Sequence, residues 1–579
     1  MTCHPGLESA VADELMSHPI NAIDVTPGAS GVYFVGTVKT GILANVWLRS
    51  AIRVLCELRH GWLDSTRPGG EAVYDFVRHA VPWHEVVPEQ TKSTFSFESR
   101  VWSCTDVTST RLAVTRAKDA VCDALVDVNG WRPPPPANGH SSADVPLFLS
   151  LYRDEATLYR DMSGESLHRR GYRDAAIHRA ALNEAAAAGI LHIAGWNKAC
   201  QKSRAMGPKK HKLPVLVDPM CGSGTLLVEA ALVAGMVAPG LVRMDAAERR
   251  NSRSNYSGDE YVDDGSGFQK VVETAYAFER WPDFDQGLLH EVLSEAEVVG
   301  SEARKQGSKP VLIGNDAHGG ALSLARRAAV AAGVDNLITF TQGDCADITH
   351  PALDEARVLE QERFEGNNNT SENHNEYEHS DKYGEGFVNL DDLGPVTTRE
   401  GGGGVLVVSN PPWGKRLDVG GGRDAYGQRR PGKSWGAKAR GGDGYGDEEE
   451  YEEGYDGSYA GDDERNDHRS VATKTSPSTD LESIETFGEE DDDGIESAWH
   501  SLGVFFRREC AGATAHLLSG DAGATRPLKM RAKRKRVLGI GGVDCRLLEY
   551  RVLPPKKDKG LSELVDEARA EDGEGIVNR

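Results

Sequence analysis

The sequence predicts an α/β protein: a Rossmann-like sheet with helices on both faces, preceded by an α+β region. Three stretches carry that expectation. Residues 215–231 read VLVDPMCGSGTLLVEAA. An apolar run, of the kind a buried parallel strand uses, turns through Asp218, Gly222 and Gly224. It continues with Leu226, Leu227, Ala230 and Ala231 at helical spacing. Strand, glycine turn and helix form the first half of a Rossmann unit. Residues 405–417, VLVVSNPPWGKRL, repeat the apolar strand and end it in Asn410, Pro411, Pro412 and Trp413. Residues 311–316, VLIGND, form another strand that closes on Asp316.

Ligands of open α/β sheets bind at the carboxyl ends of the strands, where these motifs sit. The glycines let the backbone approach a ligand closely, and the following helix offers unpaired N–H groups. The plain alternative is an ordinary strand-to-helix turn. Asp316 stands where such units accept a hydrogen bond from a ribose hydroxyl. Asp344, after the strand at 337–340, either accepts from an adenine amino group or caps the next helix. In the tetrad, the Asn410 side-chain oxygen and the following carbonyl can both accept from a planar NH2 group. Proline contributes no competing N–H. Trp413 offers a face for a base to stack on. The plain alternative here is a proline-rich loop with a surface tryptophan.

Composition bounds the rest. A chain of 579 residues is long enough for roughly three or four average domains. The formal charge of −23 looks wrong for a nucleic-acid partner, but the excess is local. Residues 441–500 carry a net −18 and residues 361–400 a net −7, which leaves +2 for the remainder. None of the 9 cysteines forms a CxxC pair, so neither a zinc ribbon nor a redox pair is expected, and no metal. No apolar run approaches membrane-spanning length, and no signal-peptide core follows Met1. A soluble, intracellular protein is expected, with the compartment open.

Taken in order, residues 1–65 read as a small ferredoxin-like unit: a helix at 7–15, a strand at 31–36 and a second helix at 40–56. No strand precedes the first helix, so an N-terminus truncated in front of Met1 is expected. Residues 66–165 continue as α+β, with strands at 95–98, 146–152 and 155–161. A helix at 110–126 carries Arg111, Arg116 and Lys118, either facing RNA phosphates or simply solvated. In SGESLHRRGYR, Arg169, Arg170 and Arg173 either bind phosphate or hold two domains together. An Ala-rich helix at 180–194 and a basic loop at 197–213 lead to the central strand. Residues 241–270, 351–400 and 418–495 read as insertions too polar to fold alone. The basic run 530–536 serves RNA binding or nuclear localisation. Residues 556–579 form a charged tail.

The ordered set of motifs resembles the THUMP-containing RNA methyltransferases. In particular it resembles the guanine-N2 half of the bacterial K/L-type large-subunit rRNA enzymes. The matching stretches are LESA from Leu7, SGESLHRRGYR, DPMCGSGTLLVEAA, GND at 314–316, residues 333–340 with Asp344, SNPPWGKRLD, and MRAKRKRV with GGVDCRLLEYRV. They span residues 1–555 apart from the insertions.

The resemblance implies a class I methyltransferase sheet at 166–555, behind a THUMP-like domain at 66–165 that grips RNA structure. It implies S-adenosylmethionine as donor, with Asp218, Cys221, Gly222, Gly224 and Thr225 around the methionine moiety. Asp316 would take the ribose and Asp344 the adenine. It implies Asn410 and Pro411 on a guanine N2 amine, with Pro412 completing the turn and Trp413 on the base.

Trp413 departs from the commoner tyrosine, residues 181–184 lack the usual Pro and Lys, and the acidic insertions have no counterpart. No stretch matches the second methyltransferase domain of the fused enzymes. The expected partner is RNA, rRNA ahead of tRNA, with no membrane. A tRNA guanine-N2 methyltransferase and a catalytically silent RNA-binding assembly factor are the competing readings. A DNA-adenine or protein-glutamine methyltransferase is a third, disfavoured by the THUMP-like region.

Overall fold

The computed structural model describes residues 1–64, 66–137, 139–173, 181–257, 261–262, 269–270, 273–371, 395–412, 492–521 and 523–553. The chain opens with a four-stranded antiparallel sheet in the order Ile23–Gly28, Gly31–Val35, Thr2–Cys3, Ala51–Arg53. Helices Glu8–Met16 and Val38–Trp47 complete it and bury Val11, Leu15, Ile42 and Val46 in a shared core. A strand therefore does precede the first helix: Thr2 pairs with Gly31 on one side and Arg53 on the other. Two residues are too few to leave an alternating pattern. The second helix stops at Trp47, not near residue 56. Its start is fixed by a capping box between Thr37 and Thr40.

The next strand, Leu55–Trp62, pairs with Glu155–Asp161 in a second four-stranded sheet. The change of sheet thus falls at Val54, earlier than the expected boundary at 65. Phe95–Trp102 and Val145–Tyr152 run parallel in this sheet. Helices Glu71–Arg78 and Thr110–Asn129 pack on it around Phe97, Val121, Leu125 and Leu147. Arg116 on the long helix binds Glu71 and lies over the Tyr74 ring. That side chain is part of the packing and not a free phosphate ligand.

Among the described residues, besides a separate two-stranded pair of Tyr261–Val262 and Gln269–Lys270, the rest of the chain is built on a seven-stranded sheet. In chain order its strands are β1 (Val215–Asp218), β2 (Leu312–Asp316), β3 (Ile338–Gln342), β4 (Val405–Ser409), β5 (Thr514–Ser519), β6 (Arg534–Ile540) and β7 (Val543–Arg551). The spatial order is β3-β2-β1-β4-β5-β7-β6, with β7 antiparallel to both neighbours and the other pairings parallel. Side chains alternate between two cores, as a strand buried on both faces requires. Leu216, Leu312, Leu406 and Val408 face helices Glu184–Ile193, Thr225–Ala234 and Gly319–Ala331. Val215, Val217, Ile313, Val405 and Val407 face helices Pro351–Ser371 and Asp492–Glu509. The expected α/β class and the covering of both faces are met.

Three stretches expected as loops or unfolded insertions hold helices. Trp196–Met206 replaces the basic loop, anchored by Trp196, whose indole N–H donates to the Ala230 carbonyl at 2.9 Å. Pro239–Ser257 occupies the start of the 241–270 segment, with Arg243 buried. Pro351–Ser371 occupies the start of the 351–400 segment, where buried Glu360 pairs with Arg399 and Arg363. Each is held by long-range partners that local composition does not reveal. Residues 413–491 and the 556–579 tail lie outside the described residues.

Candidate active site

β1 ends in Asp218 and the chain turns through Gly222 and Gly224, both at positive φ, +54° and +74°. Glycine at 224 is required twice over. Its backbone is left-handed, and a Cβ there would stand 2.9 Å from the Ala325 Cβ of the neighbouring helix. At Gly222 a Cβ would meet nothing within 4 Å, so the turn borders open space on that side. Thr225 then begins the helix, buried, with its hydroxyl taking a hydrogen bond from Arg173. Cys221 is buried as well, and burial pushes its thiol far above the ordinary range.

Asp218 is 2 % exposed. It accepts from the Ser409 hydroxyl at 2.6 Å and from the Met220 N–H at 3.3 Å. Burial raises its pKa to about 7 against those two hydrogen bonds. Among the described residues no cation pairs with it within 4.0 Å. Asp316 accepts from the Gly222 N–H at 2.8 Å and from the His318 N–H at 2.9 Å, tying the end of β2 to the glycine turn. Asp344 is exposed. It caps the turn Cys345–Asp347 through the Ala346 N–H at 2.8 Å and accepts from the Ser501 hydroxyl at 3.0 Å.

β4 is the direct neighbour of β1, with Val407 opposite Val217. The tetrad therefore leaves the sheet beside the glycine turn. Asn410 is half-buried and Pro411 buried. The Pro412 carbonyl accepts from the indole N–H of Trp499 at 2.6 Å. Trp413 lies outside the described residues.

The three arginines separate. Arg169 is on the surface, paired with Glu165. Arg170 is 1 % exposed, bonded to the Leu167 and Arg49 carbonyls and 3.6 Å from Glu229. Arg173 binds Thr225, the Leu182 carbonyl at 2.8 Å, and Glu184 at 3.5 Å. Of the three, Arg169 alone is exposed toward solvent.

Four residues of the site were not expected from the sequence. Ser409 bonds Asp218, Trp499 bonds Pro412, and Ser501 bonds Asp344. The fourth, Asn315, donates to the Pro219 and Gly343 carbonyls at 3.3 and 2.9 Å and accepts from Thr341 at 2.9 Å. A polar residue inside an otherwise apolar strand was the available signal for Ser409 and Asn315. Trp499 and Ser501 left none. No group of three or more His, Cys, Asp or Glu side chains among the described residues forms a metal site. No single helix among them is long and apolar enough to cross a membrane.

The RMKL-like methyltransferase domain model matches residues 170–359, and the RlmL ferredoxin-like domain model matches residues 1–55. The RMKL-like match takes in the glycine turn, Asp316 and Asp344 and meets the expectation of a methyltransferase domain, and the RlmL match meets that of a ferredoxin-like start.

The chain is 31% identical over 350 residues to the ribosomal RNA large subunit methyltransferase K/L of Desulfotalea psychrophila (strain LSv54 / DSM 12343). That match takes in 60% of this chain and 40% of the relative, so the chain spans about two fifths of its length. Two solved structures share the fold. One is a possible methylase from Clostridium difficile 630, with TM-score 0.56, 18% identity, and 96% of this chain and 98% of that one covered. The other is SMU.472 complexed with SAH, with TM-score 0.54, 18% identity, and 96% and 97% covered. SAH is the demethylated form of the donor expected for the RMKL-like domain, S-adenosylmethionine.

Proposed function

We propose that this protein transfers a methyl group from S-adenosylmethionine to the exocyclic N2 amine of a guanine in RNA, with large-subunit rRNA as the substrate. The observation that carries the reading is the adjacency of β1 and β4. It sets the glycine turn and Asn410-Pro411-Pro412 side by side at the carboxyl ends of two hydrogen-bonded strands. The residues present fit the donor. Asp218 is a buried carboxylate that lacks a cationic partner among the described residues, and the methionine moiety brings an ammonium and a sulfonium. Gly222 leaves open space where a side chain would project.

Bound there, the sulfonium supplies an electrophilic methyl group. The chain supplies position. In this reading Asp316 and Asp344 take the ribose and the adenine. Asn410 Oδ1 and the Pro411 carbonyl accept from the guanine amine, whose lone pair is otherwise delocalised into the ring. Two acceptors favour a pyramidal nitrogen aimed at the methyl carbon, so most of the acceleration comes from orientation. The base leaves its stack to reach this turn, and Trp413 gives it a face. The four-stranded sheet at 55–161 takes the THUMP-like role, gripping RNA shape. The choice of rRNA follows the K/L-type relative's name and the ordered motifs.

The test is methyl transfer from labelled donor to undermethylated total RNA, fractionated and digested to nucleosides. Label in N2-methylguanosine from large rRNA is expected. The same nucleoside from tRNA would move the substrate. Donor binding without any RNA product would sink the acceptor assignment, and no donor binding would favour a silent RNA-binding protein.

A further inference from the structure

The donor-side and acceptor-side motifs meet in one buried hydrogen bond. Ser409 is the last residue of β4 and directly precedes Asn410, while Asp218 is the last residue of β1 and opens the glycine turn. The Ser409 hydroxyl donates to Asp218 Oδ1 at 2.6 Å, with the two residues 1 % and 2 % exposed. Serine is an uneconomical choice at the end of a buried strand reading VLVV. A β-branched apolar residue packs better there, and a buried hydroxyl costs free energy unless it is bonded. Its acceptor is a carboxylate, which makes the bond stronger than one between neutral groups. The residue type is explained by Asp218 and not by the sheet.

We propose that Ser409 is a positioning residue for methyl transfer: its hydroxyl fixes the Asp218 carboxylate and holds the Asn410–Pro411 end of β4 in register with the donor turn. The inference rests on the assignment of Asp218 to the donor and Asn410 to the acceptor. The surroundings agree. The groups acting on Asp218 come from three elements: Asp316 on β2, the Met220 N–H of the turn, and Ser409 on β4. Of these, Ser409 is the largest influence holding the carboxylate in its ionised form.

The matched variants are Ser409→Thr and Ser409→Val, which have nearly the same shape and differ by one hydroxyl, with Ser409→Ala beside them. Each is titrated with SAH from about pH 6 to about pH 9, the range in which the linked proton is read. Each is also followed through a single turnover of methyl transfer to undermethylated rRNA at saturating donor. With Val and Ala, SAH affinity near neutral pH falls about tenfold, as loss of a hydrogen bond to a charged group implies. The pH midpoint of binding moves to higher pH, the saturated transfer rate falls, and RNA affinity is unchanged. Thr restores all three.

The proposal is overturned if Val and Ala keep wild-type SAH affinity, pH midpoint and saturated rate and lose only melting temperature. It is also overturned if Thr fails together with Val. Wild-type protein that binds SAH but methylates no RNA overturns the functional reading alone. The SAH titration then still decides whether Ser409 holds Asp218 for the donor.

Discussion

At the scale of the residue, Asp218 sets the expected pH behaviour. Its folded pKa of about 7 lies above an unfolded value near 3.9. Between about pH 4 and about pH 7 the unfolded chain has released a proton that the folded chain keeps. The stability this group contributes is therefore complete below about pH 4, declines through that window, and stays low above it. Donor binding should run the other way, because the ionised carboxylate is the form that attracts a cation. SAH affinity is expected to rise as pH passes through about 7. Melting temperature and SAH affinity, measured across the same pH range, give both slopes. Asp218→Asn should flatten both, and an unchanged affinity profile in that variant would remove Asp218 from the donor site. Asn410 makes a separate prediction. Under the proposed function, Asn410→Ala would remove one of the two acceptors on the amine while leaving the donor turn untouched. Methyl transfer should fall at least about a hundredfold, the scale of losing one preorganised contact to the reacting group, with SAH affinity held within a factor of about two. A variant that methylates at the normal rate would show that Asn410 is not an acceptor for the amine.

At the scale of the element, helix Asp492–Glu509 acts on both halves of the site. Trp499, fully buried, holds the Pro412 carbonyl, and Ser501 two residues later holds Asp344. Trp499→Phe keeps most of the apolar bulk and removes the indole donor. The expected result is a transfer rate lowered about tenfold at unchanged SAH affinity, since one net hydrogen bond to a carbonyl is worth about 1 kcal/mol or somewhat more. Ser501→Ala should instead weaken SAH binding a few-fold and spare the rate at saturating donor. Single-turnover rates beside SAH titrations separate the two, and identical effects in both variants would mean that the helix only packs. Elements of this kind mark where the sequence stops being informative. β1, β2 and β4 were readable because a parallel strand buried on both faces is an unbroken apolar run, and their glycine, Asn-Pro-Pro and Asp ends carry local chemistry. Helices Trp196–Met206, Pro239–Ser257 and Pro351–Ser371 were not readable, because they are held by Ala230, by carbonyls of 165–169 and by Arg399. Ser409, Trp499 and Ser501 acquire their roles from strand order and from a helix that follows a long insertion. Neither is written in the local pattern.

At the scale of the whole molecule, the two N-terminal sheets are joined to the methyltransferase domain through polar contacts in which Arg49, Arg160 and Arg170 are buried. Arg170 binds the Arg49 carbonyl of the first unit and stands 3.6 Å from Glu229, on the helix that follows the glycine turn. Arg49 reaches back to the Val237 carbonyl at 2.6 Å, and the Tyr172 hydroxyl donates to Glu229 at 2.9 Å. In the second sheet Arg160 pairs with Asp283 at 2.7 Å and lies over the Trp281 ring. At the far edge the Gly539 N–H of β6 donates to the Pro5 carbonyl at 2.9 Å. Under the proposed function, such joints would hold the surface assigned to RNA at a set distance from the turn assigned to the base, as a shape-reading module needs to select one nucleotide. Arg170→Met tests the joint. It leaves the Glu229 carboxylate, 0 % exposed, with the Tyr172 hydroxyl but without its ion-pair partner, and breaking a buried pair on one side costs about 3–5 kcal/mol. Denaturant unfolding should show that loss. Arg170→Met combined with Glu229→Gln should recover part of it, because the stranded charge is gone. The salt dependence of RNA binding should stay as in the wild type, since a side chain that releases no counterions does not enter that slope. The opposite pattern, full stability with a shallower salt slope, would make Arg170 a phosphate ligand and would require the joint to open when RNA binds.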